Sequence, residues 1–197
     1  SEGRYEEAVN VIKERNPLPL ICGRVCPAPC EKGCRRVAIE DEPVHHNYIK
    51  RFVADWEMAL PERKKPSTLP DSGKRVAIVG GGPSGLTAAY YLRRLGHSAA
   101  IFDAMPQLGG MLRYGIPEYR LPKKVLDFEI NEILELGNVE VKTDMKLGKD
   151  FTVADLEKEY DAIYLAMGAW DNQSLRAEGE DLEGVWKGTE FLQQKEL

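Results

Sequence analysis

The chain has 197 residues, 43% of them apolar, and its 27 basic against 32 acidic residues leave a net charge of −5. That apolar content is enough to bury a core, and a weakly acidic chain has no electrostatic footprint for nucleic acid or an anionic membrane. No apolar run reaches the ~20 residues of a membrane-spanning helix, and the N-terminus lacks the apolar core of a signal peptide, so a cytoplasmic protein is expected.

Residues 4–15 carry Tyr5, Ala8, Val9 and Ile12 at helical steps, with Glu early and Lys/Arg late, which predicts a short amphipathic helix. Asn16-Pro17 and Pro19 end it. The next stretch, LICGRVCPAPCEKGCRR at 20–36, holds all four cysteines, Cys22, Cys26, Cys30 and Cys34, one at every fourth position. Pro27 and Pro29 forbid an unbroken helix, and Gly23 and Gly33 add backbone freedom. A loop folded around a compact centre, with thiolates converging on it, is expected. Structural zinc usually shows paired C-x2-C knuckles, and a cytoplasmic chain disfavours disulfides. An iron–sulfur cluster takes thiolates from short runs, often with proline beside a ligand, and Cys26-Pro27 fits that pattern. The even, proline-broken spacing therefore favours iron–sulfur over zinc. Arg24, Lys32, Arg35 and Arg36 could offset the charge of a thiolate-bound cluster, although each taken singly also reads as a solvated surface charge. His45 and His46 could ligate a metal or simply line the start of the next helix. That helix is expected over 43–60, where Val44, Tyr48, Phe52, Val53 and Trp56 recur at helical steps. Residues 61–74, with three prolines and no apolar period, read as a linker, which divides the chain into 1–66 and 67–197.

Beyond the linker, strand and helix patterns alternate. Strands are expected at 75–79, 99–102, 139–142 and 162–166, and helices at 84–95, 123–136 and 153–159, which implies a mostly parallel sheet covered by helices. The first strand runs into GGGPSG, where Gly80, Gly82 and Gly85 fit G-x-G-x-x-G. The first glycine allows the tight turn, the second lets a pyrophosphate approach the backbone, and the third lets helix and strand pack closely. Pro83 and Ser84 then open a helix whose N-terminus favours anions. Strand before, helix after and a second strand next supply the context this motif requires. Asp103 closes the second strand, 23 positions after Gly80, where it could accept hydrogen bonds from ribose hydroxyls. An acidic group there favours FAD or NAD over NADP, whose 2′-phosphate it would repel.

At this point the chain resembles the two-dinucleotide-domain flavoproteins, in which this turn holds the adenosine half of FAD. DAMPQLGGMLRYGIPEYRLPK (103–123), with Gly109 and Gly110, resembles that family's segment approaching the flavin, and YDAIYLAMGAW (160–170) its later strand, where Gly168 would let the chain pass close to FAD. The cysteine run, helix, linker, VAIVGGGPSGL and GGMLRYGIPEYRLPK, in that order, are similar to the glutamate synthase small (β) subunit group. That group includes related NAD(P)H-dependent flavin/iron–sulfur oxidoreductases and the N-terminal part of dihydropyrimidine dehydrogenase. The resemblance implies a helical iron–sulfur domain followed by part of a Rossmann-like FAD domain. It also implies electron transfer between NAD(P)H, FAD and 4Fe-4S clusters. Arg113, Tyr114 and residues 116–120 would then lie near the isoalloxazine or form a plain structural loop. Glutamate synthase members carry two cysteine groups for two clusters, and in those relatives the group corresponding to this one divides its ligands between them, so this chain either starts after the first group or holds one cluster on these four cysteines. Here the middle spacing is three residues rather than the usual five, and the upstream group is absent. A second fingerprint for NAD(P)H is also absent, so the nicotinamide is expected to bind outside this chain. Ser1 and the helical texture of TEFLQQKEL at the other end read as a piece of a longer protein, with a larger catalytic subunit or fused domain as electron partner. A non-catalytic docking or relay domain, or a structural zinc domain, is the alternative.

Overall fold

Helical periodicity in the first sixty residues and strand–helix alternation afterwards both take physical form in the computed structural model, which describes residues 2–194. The N-terminal part holds α1 (Tyr5–Lys13), α2 (Pro19–Val25), α3 (Pro29–Lys32), α4 (Val37–Glu40) and α5 (His46–Met58). Then follow β1 (Arg75–Val79), α6 (Pro83–Arg94), β2 (Ser98–Phe102), α7 (Met111–Tyr114) and α8 (Lys123–Leu134). β3 (Val139–Lys142), α9 (Val153–Leu156), β4 (Ala162–Leu165) and α10 (Gly188–Gln193) complete the order. The described part of TEFLQQKEL falls mainly in α10, and residues 195–197 lie outside the described residues. No described helix is long and apolar enough to cross a membrane.

The four strands form one sheet in the order β3-β2-β1-β4, and all three pairings are parallel. Alternation along the strands sorts side chains between two faces. Ile78 and Ile101 join Leu86 and Ala89 of α6 and Leu126 and Ile130 of α8 in one core. Ala77, Val79, Ala100 and Phe102 face a second cluster with Phe151, Leu156 and Tyr160.

The first core does not stop at the linker. Leu18, Leu20, Ile21 and Ala54 from the N-terminal helices belong to it as well. Each buried Leu or Ile contributes about 1.5–3 kcal/mol by leaving water, so this shared burial holds the two parts together. The linker itself is held against α6. Leu69 N–H donates to Arg94 O and Ser72 N–H to Gly96 O, both at 2.9 Å. Gly96 has φ +83°, and a Cβ on it would stand 2.1 Å from Pro70 O.

Candidate dinucleotide and iron–sulfur sites

β1 ends at Val79 and the chain turns sharply through Gly80, whose φ of +110° suits glycine. A Cβ on Gly80 would lie 2.2 Å from Ala166 O, because the end of β4 crosses there with Ala166 N–H bonded to Val79 O at 2.7 Å. The third glycine, Gly85, leaves no room either: its Cβ would meet Gly80 O at 1.9 Å. Gly82 is the N-cap of α6 and offers no side chain to the first turn, and Pro83 takes the first helical position. The unbonded N–H groups of that turn, with the helix dipole, make a cradle for an anion. The Gly109-Gly110 segment closes on this turn: a Cβ on Gly110 would be 2.8 Å from Gly82 Cα. Two glycine segments remote in sequence thus meet backbone to backbone at the helix N-terminus.

Asp103 is 7% exposed. Its Oδ2 accepts from Gly81 N–H at 2.6 Å and its Oδ1 from Met105 N–H at 2.8 Å. The carboxylate therefore braces the glycine turn against the loop after β2. A carboxylate has about four acceptor positions, so two remain for ribose hydroxyls. Arg113 is buried rather than reaching outward: Nε donates to Leu108 O at 2.6 Å, and the guanidinium pairs with Asp127 of α8. It clamps the glycine loop to α8. Gly168 has φ +72° and its nearest neighbour would be Trp170 Nε1 at 3.6 Å, so its backbone conformation is what calls for glycine. Trp170 donates from Nε1 to Met167 O at 3.1 Å and lays its ring against Tyr114, with centroids 5.9 Å apart. Tyr164, which the sequence does not mark, hydrogen-bonds Ser84 at 2.9 Å between hydroxyl oxygens. Only the β4 register, which sets Tyr164 beside Ile78, puts it at the mouth of the cradle.

The cysteine stretch differs from the expected loop. Pro19 and Pro29 sit at helix starts, so Cys22 lies on α2, Cys26 is its C-cap, and Cys30 lies on α3. Between them Ala28 takes the left-handed conformation at φ 49°, which turns the chain between two proline-bounded segments. Among the described residues no three His, Cys, Asp or Glu side chains are grouped to hold a metal ion, so the thiols do not converge on one centre. All four are free. They are also unlike one another. Cys22 points its thiol at Asn16 Oδ1, 3.5 Å away, and burial pushes its pKa up. Cys26 Sγ accepts from Ala28 N–H at 3.4 Å. Cys30 is exposed. The backbone N–H of Val44 and then that of Arg36 pull the Cys34 thiol down. N–H donors favour the thiolate, the form a cluster requires, which suits Cys34 to ligation, whereas burial works against it at Cys22.

Two of the four basic residues around the thiols have acidic partners of their own. Arg24 pairs with Asp55 at 2.5 Å and donates to Leu20 O, and Arg36 pairs with Glu40. His45 is the N-cap residue of α5, 3.7 Å from Glu31, and stands edge-on to Tyr48. It lines a helix start.

A polar seam joins the two parts and carries no sequence signature. Lys13, 6% exposed, donates to Glu57 of α5 at 2.7 Å and to Glu132 of α8 at 3.1 Å. Arg63 reaches Glu132 at 2.7 Å and stacks on Phe128. Glu129 of α8, with 0% exposure, accepts from Leu20 N–H at 2.5 Å and Ile21 N–H at 3.0 Å, capping α2.

With this geometry in hand, known proteins can be compared. Residues 1–61 match the family described as dihydropyrimidine dehydrogenase domain II, 4Fe-4S cluster, and residues 78–130 match an NAD(P)-binding Rossmann-like domain. The glutamate synthase (NADPH) small chain of Escherichia coli is 37% identical over 196 residues, an alignment covering 98% of this chain and 41% of that protein. The chain is a homologue of the glutamate synthase small chains. The NADP(+)-dependent formate dehydrogenase subunit beta of Moorella thermoacetica is 39% identical over 219 residues, with 100% of this chain and 31% of that protein covered. The NADPH-Fe(3+) oxidoreductase subunit beta of Geobacter sulfurreducens is 39% identical over 198 residues, covering 98% of this chain and 29% of that protein. The chain thus spans less than half the length of these curated relatives. In solved structures, FprA, a Mycobacterium tuberculosis oxidoreductase, superposes with a TM-score of 0.56 at 25% identity, covering 64% of this chain and 28% of that one.

Proposed function

We propose that this chain is the electron-transfer part of an NAD(P)H-dependent flavin/iron–sulfur oxidoreductase, with residues 1–66 holding iron–sulfur ligands and residues 67–197 the first part of a flavin domain. The observation that carries this reading is the convergence of Gly80, Gly82, Gly85 and Gly110 at the α6 N-terminus, on the same core as the cysteine-bearing α2. FAD would place its pyrophosphate at Gly80, Gly82, Pro83, Ser84 and Gly85, and its ribose at Asp103. The Gly109-Gly110 loop, braced by Arg113, would flank it, and Gly168 would shape the return strand. Asp103 argues against NADP at this turn, since a carboxylate repels a 2′-phosphate. The nicotinamide nucleotide would then bind outside these residues.

When bound, the flavin accepts a two-electron hydride and releases single electrons, the form in which a 4Fe-4S centre takes them. The chain's part is to orient the cofactors and hold the thiolates. Cys22, Cys26, Cys30 and Cys34 would supply the thiolates, to one centre or divided between two. The names of its homologues, small chain and beta subunits, support a larger subunit or fused domain as the electron partner.

The test is an absorbance and EPR spectrum of the full-length protein, prepared anaerobically, before and after NADPH or NADH. Flavin bleaching with a new reduced-cluster signal is expected. A colourless protein with stoichiometric zinc would overturn the reading.

A further inference from the structure

We infer that Glu129 is a positioning residue for electron transfer, fixing the cysteine-bearing helix α2 to the same helix that holds the flavin loop. The inference rests on the function proposed above and adds to it the element that sets the geometry between the two cofactor segments.

Three acidic side chains of α8 leave the helix in different directions and reach three different places. Asp127 binds Arg113, whose Nε holds Leu108 O beside the Gly109-Gly110 pair. Glu129 binds the first free N–H groups of α2. Glu132 takes Lys13 from α1 and Arg63 from the linker. These residues are spaced two and three apart, within a single helical turn and a half. α8 is thus a rigid bar with the flavin loop at one grip and the cysteine segment at the next.

Glu129 has the most specific grip of the three. Both carboxyl oxygens are used, one on each of two successive backbone N–H groups, which fixes the direction of α2 as well as its position. Among the described residues no other side chain caps that helix: Leu18 is its N-cap and makes no side-chain bond there. From the grip at Leu20 and Ile21, α2 runs about 8–9 Å at ~1.5 Å per residue to its C-cap, Cys26. A tilt at the capped end is therefore carried directly to Cys26 and the segment behind it. Leu20 and Ile21, the two residues whose N–H groups are held, are themselves buried in the core shared with the sheet, so the cap works on a packed element and not on a loose end. Electron transfer between fixed centres depends steeply on their separation, so a tilt of α2 would change the distance between cofactors held by the two segments, with no bond made or broken in the protein.

The experiment uses the full-length protein carrying Glu129→Gln, which keeps one acceptor oxygen and replaces the other with an amide donor facing an N–H. Three measurements are made after mixing with NADPH or at rest: the rate of flavin bleaching, the rate at which the reduced-cluster EPR signal grows in freeze-quenched samples, and amide hydrogen exchange at Leu20 and Ile21. Bleaching is expected to keep its rate, cluster reduction to slow several-fold, and exchange at the two amides to accelerate. Cluster reduction at the wild-type rate would overturn the inference whatever the exchange shows, because faster exchange alone marks a purely structural cap. Should the Gln variant fail to retain iron, Glu129→Asp carries the same test, because it keeps both oxygens and withdraws them by one methylene; a smaller slowing in the same step is expected. Absence of flavin and iron from the wild-type protein would instead overturn the proposed function, and the inference with it.

Discussion

Gly23 shows what one missing side chain permits. A Cβ on it would stand 2.8 Å from Arg51 Cβ and 2.9 Å from Arg51 Cα, so α2 and α5 touch backbone to backbone there. Sequence reading gives Gly23 a role in loop freedom, whereas its role is close packing. Gly23→Ala is expected to destabilise the protein by about 1–3 kcal/mol through overpacking, read as a lower urea midpoint without a change in slope. Lys13 is the reverse case, a charge that the fold encloses. Its Nζ is shared by Glu57 and Glu132, and Lys13→Ala would leave the buried Glu57 without its cation and Glu132 with Arg63 alone. Breaking a buried pair costs about 3–5 kcal/mol, and chemical unfolding of that variant should show a loss of this order. Glu129 adds a pH dependence. Burial first, against the hydrogen bonds of Ile21 and Leu20, raises its pKa from the ordinary 4.5 to about 8. Across that window the folded protein keeps a proton that the unfolded chain has released, so the unfolded state binds fewer protons and stability falls as pH rises. Burial raises Glu57 as well, which adds to the same slope. The melting temperature should therefore decline between about pH 5 and pH 8, and decline less in Glu129→Gln; parallel profiles would count against it.

Helices with a full period and the four strands were legible in the sequence, whereas most of the short helices, α9 excepted, were not. β1, with RVAIV, matches its expected span, and α1, α5, α6 and α8 lie within a few residues of theirs. α2, α3, α4 and α7 span four to seven residues, too few to show a repeat. Proline misled in a specific way. Pro19 reads as the end of α1's neighbourhood and Pro29 as a breaker, yet each opens a helix, where its missing N–H costs nothing. The even cysteine spacing then suggested convergence that three separately oriented segments do not produce. The glycine fingerprint was legible because it is local, with strand, turn and helix contiguous. Its contact with Gly110 was not, because that depends on how the loop after β2 folds back. Gly85→Ala tests the element geometry. Its Cβ would collide with Gly80 O, so α6 must shift from β1. The full-length variant is expected to lose bound flavin while retaining iron, as measured by flavin release and iron analysis.

Across the whole molecule, the Pro-rich stretch at 61–74 separates two textures of sequence without separating two cores. Leu18, Leu20 and Ile21 are few and lie in an irregular stretch, so no periodicity announces that they pack on α8. The polar contacts agree with the apolar ones: Tyr90 donates to Lys13 O at 3.2 Å and Tyr91 to Glu14 O at 3.1 Å, both from α6 to the end of α1. A segment fixed by shared burial, a charged seam and a capped helix has little freedom to move as a separate body, which is the condition a fixed electron path requires. The consequence is cooperativity. Trp56 lies on α5, in the N-terminal part, against Tyr5 at 5.6 Å between ring centroids, and so reports on the cysteine-bearing half. In a protein with Trp170 and Trp186 replaced by Phe, Trp56 fluorescence follows that half, while far-UV circular dichroism averages over every helix and strand. Because one core spans both parts, the two signals should trace one urea transition with a common midpoint. If the halves were independent, Trp56 would unfold at its own denaturant concentration and the two curves would separate. Lys13→Ala, which cuts the seam without touching the cysteines or the glycine turn, should then lower the midpoint of both signals together.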